Sequence, residues 1–350
     1  MSTALTIVIA LLVFGFLIFI HEFGHYIFAR IFKVKINEFS IGMGPKLVWY
    51  DSKKTGIRYA LSMLPIGGYV AMAGEDDESD DPNSFDKKPA WQRFIITAAG
   101  ATVNVLAGFI ATLLLVVMLT SIGNTTIAGF IDKSETGYEI SSSESGLLVN
   151  DEIIAVDGVR VKTPDELSYE IMRRGTEPLD ITVIRDGVKM TVKDVVFPSI
   201  SEQGQSFGAI DFAVYRIDKN FGTVINQAWR KSCLTVRMCW ESLYDLFTGR
   251  YTFAAVSGPV GISSAIGDAA KMGVAALLNI IAIISINLGF MNLLPIPALD
   301  GGRLITLLVE MITKKKLPTK VEGIINAVGL MALLALSFVI MIKDVIQIIV

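Results

Sequence analysis

The chain has 350 residues, 52% of them hydrophobic and 19% charged, with a net charge of −3. That is the composition of an integral membrane protein with room for one modest soluble domain, and it gives a nucleic-acid partner no electrostatic support. The two cysteines, Cys233 and Cys239, stand six apart on one predicted helix, a spacing that suits neither a thiolate zinc site nor a disulfide framework and reads as packing.

Residues 4–20 carry no charge and, with the apolar residues that follow His25, reach bilayer length. The segment lacks a basic leader and a small-residue cleavage site, so it reads as a retained span and not a signal peptide. Three further uncharged stretches, within 94–131, 272–299 and 323–342, are long enough to cross. The loop between the first two spans alternates apolar with polar or small residues. It breaks at Gly42, Gly44, Pro45, Gly67 and Gly68, which is strand-and-turn chemistry. Its apolar content predicts a β-hairpin dipping into the membrane beside the first span. The acidic run at 75–81 lacks the ligand spacing of a calcium loop and reads as a solvated turn.

Residues 127–215 predict a small α/β module. GLLVNDEIIAVDGVRV gives a strand, an Asp-Gly hairpin turn and a second strand. TPDELSYEIMRR opens a helix with Thr163 as N-cap and Pro164 at its first position. Two more strands follow around a second Asp-Gly pair. Strand-strand-helix-strand-strand fits a PDZ-like fold, which binds peptides at an exposed sheet edge; a plain α+β spacer is the alternative. Residues 220–248 then form an amphipathic helix with Ile225, Trp229, Cys233, Val236, Trp240, Leu243 and Phe247 on one side. That side suits either the membrane surface or the module.

Ten Lys and Arg residues lie between 30 and 93, and five between 303 and 320, whereas both termini are poor in them. Basic residues near span ends resist translocation, so both loops are expected in the cytoplasm, with the termini and 132–271 outside. The sequence thus predicts a multi-pass α-helical membrane protein of about four transmembrane helices, with a membrane-associated β-hairpin and one inserted extracytoplasmic PDZ-like α/β domain. Its parts are 1–126, an N-terminal membrane core; 127–215, the module; 216–271, helix and connector; and 272–350, a C-terminal membrane core.

Both histidines of the chain, His21 and His25, fall within the first span, with Glu22 between them. Residues four apart share a helix face, so both imidazoles can reach one metal ion. The pattern is His-Glu-x-x-His, in which two imidazoles bind Zn²⁺ and the glutamate is general base toward water. Ionisable residues at membrane depth are costly and point to function. A catalytic zinc needs a third protein ligand, and no third histidine exists. Asp300 is the carboxylate that ends the third apolar run, after Pro295 and Pro297 and before Gly301 and Gly302. Its other reading is a cap on the next helix.

These residues resemble the site-2 protease family of intramembrane zinc metalloproteases, in its bacterial RseP, RasP and Eep branch. The resemblance is carried by HEFGH at 21–25, FSIGMGPKL at 39–47, LPIGGYVAMAGE at 64–75, NSFDKKPAWQRF at 83–94, SGLLVNDEIIAVDGVRV at 145–161, SGPVGI at 257–262 and NLLPIPALDGGRL at 292–304. It implies one Zn²⁺ held by His21, His25 and Asp300, with Glu22 as base. It also implies a substrate held extended by the hairpin, with Gly42, Gly44, Gly67 and Gly68, and by Asn292 and Pro295. Substrates would be single-pass membrane proteins, such as anti-sigma factors or remnant signal peptides, already trimmed by an upstream site-1-type protease. The setting would be the bacterial cytoplasmic membrane, with the active site toward the cytoplasm. The family's Gly-Pro-x-x-Asn in the second span is here Gly100-Ala101 with Asn104 retained, which implies a small change of kink.

Two other readings compete: a membrane zinc peptidase with a glutamate third ligand, for which 26–60 offers only Glu38, and a non-proteolytic membrane scaffold or chaperone using the PDZ-like domain. The orientation is testable by cysteine labelling of intact cells in a background lacking Cys233 and Cys239. A probe replacing Ser143 should label from outside and one replacing Lys315 should not; the opposite pattern would reverse the topology.

Overall fold

Four helices of the described residues are long and apolar enough to cross a membrane: Leu5–Ile31, Ala90–Met118, Val274–Leu293 and Val321–Asp344. The computed structural model describes residues 3–75, 79–131, 141–202, 205–250, 256–316 and 318–349. Two units are formed, one from Met1–Thr112 with Val256–Val350 and the other from Leu113–Ala255.

In the first unit, α1 (Thr3–Ile31) leads into the hairpin of β1 (Ile36–Asp51) and β2 (Arg58–Met72), and then into α2 (Ala90–Met118). The strands bend back on themselves, so each is paired over two stretches. Ile36 pairs with Met72 and Ile41 with Gly68, whereas Trp49 pairs with Ala60 and Asp51 with Arg58. Gly42, Gly44 and Gly67 take φ of 84°, 86° and 84°, which a side chain would strain, and they permit the bend. Phe39, Val70 and Met72 of the hairpin pack with Ala29 of α1 and Ile96 of α2 in one apolar cluster. Leu47, Val48, Trp49, Tyr50 and Met63 are exposed and give the hairpin an apolar outer surface. Of the acidic run, Glu75 and Asp81 are ion-paired with Arg303 and Lys35; 76–78 lie outside the described residues.

The C-terminal half of this unit is helical. In chain order α3 (Pro164–Arg174) and α4 (Phe221–Phe247) belong to the second unit, and α5 (Pro259–Met272), α6 (Val274–Leu293), α7 (Asp300–Thr313) and α8 (Thr319–Ile349) follow here. Ile266 of α5 joins Ala10, Val13 and Leu17 of α1 in a buried cluster flanked by α6. The SGPVGI stretch starts α5, and the Asp344 carboxylate of α8 accepts from the amides of Gly258 and Gly261 at 2.9 and 3.0 Å. An acidic side chain at a helix N-terminus satisfies its free N–H groups and its dipole. That accounts for an aspartate buried near the end of an apolar span.

The second unit contains the predicted strand-strand-helix-strand-strand order: β4 (Glu152–Val156), β5 (Val159–Arg160), α3 (Pro164–Arg174), β6 (Leu179–Arg185) and β7 (Val188–Val195). Both Asp-Gly turns form, with positive φ at Asp157, Gly158, Asp186 and Gly187. Thr163 caps α3 and Pro164 begins it. The span expected within 94–131 is α2, which stops at Met118, and β3 (Ile122–Phe130) takes up the rest of that apolar stretch. A continuous apolar run has no periodicity to separate helix from strand. β3 pairs with β10 (Phe212–Ile217), which lies after the small hairpin of β8 (Ser199–Glu202) and β9 (Gln205–Gly208), and the sheet order is β10-β3-β4-β6-β7.

Helix α4 (Phe221–Phe247) packs on the module with its polar side. Lys231 pairs with Asp165 at 2.7 Å, Arg230 with Glu166 at 2.9 Å and Asp245 with Arg173 at 2.7 Å. Glu241 accepts from Tyr169 at 2.7 Å. Burial and this carboxylate hold the Tyr169 hydroxyl well above the usual tyrosine range. The aromatic side faces outward, with Trp229, Trp240 and Phe247 exposed.

Candidate metal centre

On α1, His21, Glu22 and His25 lie toward the end that carries Arg30. Two close approaches between α1 and α2 shape their surroundings. A Cβ on Gly24 would stand 2.7 Å from the Ala99 carbonyl oxygen, and one on Gly100 would stand 2.3 Å from His25 Nε2. Glycine at both positions lets the helices touch and leaves space for the imidazole. His25 Nδ1 donates to the Ile96 carbonyl at 2.8 Å, and Asn104 Nδ2 lies 3.3 Å from His21 Nδ1. α2 is one uninterrupted helix through Gly100-Ala101.

Asp300 arrives from the other end of the chain. α6 stops at Leu293, and the Leu-Pro-Ile-Pro turn reverses the backbone, with Ala298 at φ 72°. A Cβ on Gly301 would stand 1.9 Å from the Leu294 carbonyl oxygen, and one on Gly302 would stand 2.6 Å from that of Ile296. Only glycine at both positions lets α7 start this close to the turn, and Asp300 is its first residue. Asp300 makes no cap, since Leu299 is the N-cap and no side chain caps that end. Its Oδ2 is buried without a hydrogen bond and points at both imidazoles. Arg303, one turn on, anchors α7: it donates to Glu75 Oε1 and the Glu75 carbonyl at 2.6 and 2.7 Å, and lies over the Phe85 ring.

The three candidate ligand atoms form a small triangle. His21 Nε2 to His25 Nε2 is 3.2 Å, and Asp300 Oδ2 is 3.2 Å from the first and 3.4 Å from the second. Two ligands at about 2.0–2.1 Å from one zinc in tetrahedral geometry stand about 3.3 Å apart, so the triangle has the size of one tetrahedral face. With neutral imidazoles, ionised Glu22 and Asp300 supply two negative charges, which one dication balances. Among the described residues this is the one His/Cys/Asp/Glu group whose atoms converge in this way.

The triangle opens into a cavity of about 620 Å³ that is also lined by Glu22, by residues 68–75 of the hairpin, and by Thr97 and Arg303. A Cβ on Gly68 would lie 3.0 Å from Glu22 Cγ, so this glycine lets β2 rest on α1 beside the glutamate. Of the four glycines named above in the hairpin, Gly68 lines this cavity; Gly42, Gly44 and Gly67 shape the strands instead, and neither Asn292 nor Pro295 is among the lining residues. The anchoring of Arg303 on Glu75 and the His21–Asn104 contact carry no signal in the sequence alone, because each depends on a partner distant along the chain.

Gly100→Ala should drive a methyl group into His25 Nε2. Overpacking of this kind costs about 1–3 kcal/mol. Zinc retained after dialysis should fall about tenfold or more, whereas Gly129→Ala, with no atom within 4 Å of the added carbon, should leave it unchanged. Equal zinc in both variants would show that His25 does not need this space.

A family model described as Peptidase family M50 matches residues 9–336. A Clostridium acetobutylicum protein, provisionally named a zinc metalloprotease, is 37% identical over 343 residues and 97% of each chain. One from Clostridium perfringens with the same provisional name is 34% identical over 97% of this chain and 98% of its own. The zinc metalloprotease RasP of Geobacillus kaustophilus is 29% identical over 98% of both chains. With a family match over nearly its whole length, the chain belongs to peptidase family M50, the site-2 proteases, and is a membrane zinc metalloprotease.

Proposed function

We propose that the chain is an intramembrane endopeptidase that cuts single-pass membrane proteins within or near their transmembrane segments. The observation that carries this reading is the His21–His25–Asp300 triangle, set among apolar helices and open to a cavity bordered by Glu22 and one edge of β2. His21, His25 and Asp300 would hold the zinc. When bound, it supplies Lewis acidity to the scissile carbonyl and lowers the pKa of water to about 7.

The chain's own residues do the rest. Glu22 takes the proton of the attacking water and passes it to the leaving amine. Residues 68–72 of β2 are paired by 36–41 on one side and border the cavity, so their backbone can receive a substrate strand. A helical substrate hides its peptide bonds in its own hydrogen bonds, so local unwinding to an extended form is what exposes them. Gly42, Gly44 and Gly67 support this by fixing the hairpin's bend, and the turn at Asn292 and Pro295 by placing Asp300.

Substrates of this class include anti-sigma factors and remnant signal peptides, presented after an upstream site-1-type protease has removed the outer domain. The PDZ-like module then filters by size. The setting is the bacterial cytoplasmic membrane, with the module outside and the zinc site toward the cytoplasm, since His21 and His25 lie nearer the basic end of their span.

Glu22→Gln preserves the size of the side chain and removes the base. Assayed on a single-pass substrate with a short outer stub, it should keep zinc and lose about 10²–10⁴ in cleavage rate. Wild-type cleavage by a zinc-loaded mutant would overturn the assignment.

A further inference from the structure

Asn104 is a polar side chain that the chemistry above does not use. It lies on α2 and is fully buried. With Ile96 and Gly100 it marks one face of that helix, at intervals of four residues. Each of the three positions meets a histidine of α1. The Ile96 carbonyl accepts from His25 Nδ1, Gly100 leaves space for the His25 ring, and the Asn104 amide ends 3.3 Å from His21 Nδ1. The backbone here is pinned, since Ser285 of α6, itself fully buried, donates to the Asn104 carbonyl at 2.8 Å.

The side-chain amide is not satisfied. Its Oδ1 is buried with no hydrogen-bond partner. A buried polar group left unpaired costs about 1–3 kcal/mol, so an apolar residue would pack here at less expense in stability. Which end of the amide faces the ring is decided by the hydrogen-bond network, because oxygen and nitrogen are nearly isosteric. The choice turns on the end that faces His21.

That choice has a chemical consequence. Neutral imidazole carries one N–H. With Nδ2 toward the ring, His21 would hold its proton on Nε2, beside Asp300 Oδ2 at 3.2 Å, and that nitrogen would have no lone pair for a metal. With Oδ1 toward the ring, the proton sits on Nδ1 and Nε2 is free. Metal-binding histidines nearly always donate their other N–H to a carbonyl, carboxylate or water. His25 has such an acceptor in the Ile96 carbonyl. We propose that Asn104 is a positioning residue for the metal centre, its side-chain carbonyl accepting from His21 Nδ1 and fixing the tautomer whose Nε2 binds zinc. The inference rests on the zinc reading of His21, His25 and Asp300.

The test uses the full-length protein purified in detergent, with zinc affinity measured by chelator competition and thermal unfolding followed for each zinc-free form. Asn104→Leu removes the acceptor and should weaken zinc about 10–100-fold, the usual effect of losing such a partner. Asn104→Asp keeps an acceptor and cannot donate, so it should bind within a few-fold of wild type. Ser285→Ala disturbs the same helix contact but not the amide and should leave affinity unchanged. Unaltered affinity in a folded Leu variant would overturn the proposal, as would equal loss in the Leu and Asp variants. Should the Leu variant fail to fold, the Asp variant decides: retained affinity supports an acceptor role, and loss shows that the NH₂ group was needed. A wild-type protein that bound no zinc would instead contradict the metal reading itself.

Discussion

Two carboxylates and two imidazoles sit at the meeting point of apolar helices, where an unpaired charge costs several kcal/mol. A dication at the His21–His25–Asp300 triangle would relieve that burden, and much of the surrounding architecture brings the triangle together. Gly24 and Gly100 let α2 reach the histidines. Gly301 and Gly302 let the Pro-rich turn deliver Asp300. Gly68 lets the hairpin lie on Glu22. Each glycine stands where a single carbon would meet backbone, His25 or Glu22.

This constraint links structure to activity. Irregular backbone at membrane depth is tolerated only where it is covered by protein or lines a cavity. Here that irregularity is concentrated at the site: the bent hairpin strands, the break after Leu293 and the first turn of α7. Arg303 ties the start of α7 to Glu75 just after the hairpin, so Asp300 and the cavity wall share one anchor. The module is held together differently, by an apolar core under its sheet and an ion-paired seam between α3 and α4.

Much of this was legible in the residues. His21, Glu22 and His25 were readable because a four-residue spacing fixes a shared helix face. Asp300 was readable because the ligand count required one more donor and few carboxylates sit in apolar runs. The turns at Asp157-Gly158 and Asp186-Gly187 were readable from local backbone chemistry. What could not be read depended on tertiary partners. The end of α2 and the start of β3 leave no mark in the sequence, because the apolar residues run on from one to the other. The packing side of α4 ran against its amphipathic pattern, since Asp165, Glu166, Glu170 and Arg173 of α3 recruit its charged side. Asn104 stands 83 positions from His21, and no local pattern joins them.

The central claim is that Asp300 completes a zinc site begun by the two histidines. The most direct measurement is zinc per chain after dialysis against a mild chelator, for wild type, Asp300→Asn and Asp268→Asn. Asp268 is exposed and paired only with Lys271, so it serves as control. Wild type and the control should retain about one zinc each, while Asp300→Asn, unable to offer a deprotonated oxygen, should lose most of it together with cleavage. Zinc and cleavage at wild-type levels in the Asp300 mutant would place the third ligand elsewhere and contradict the account.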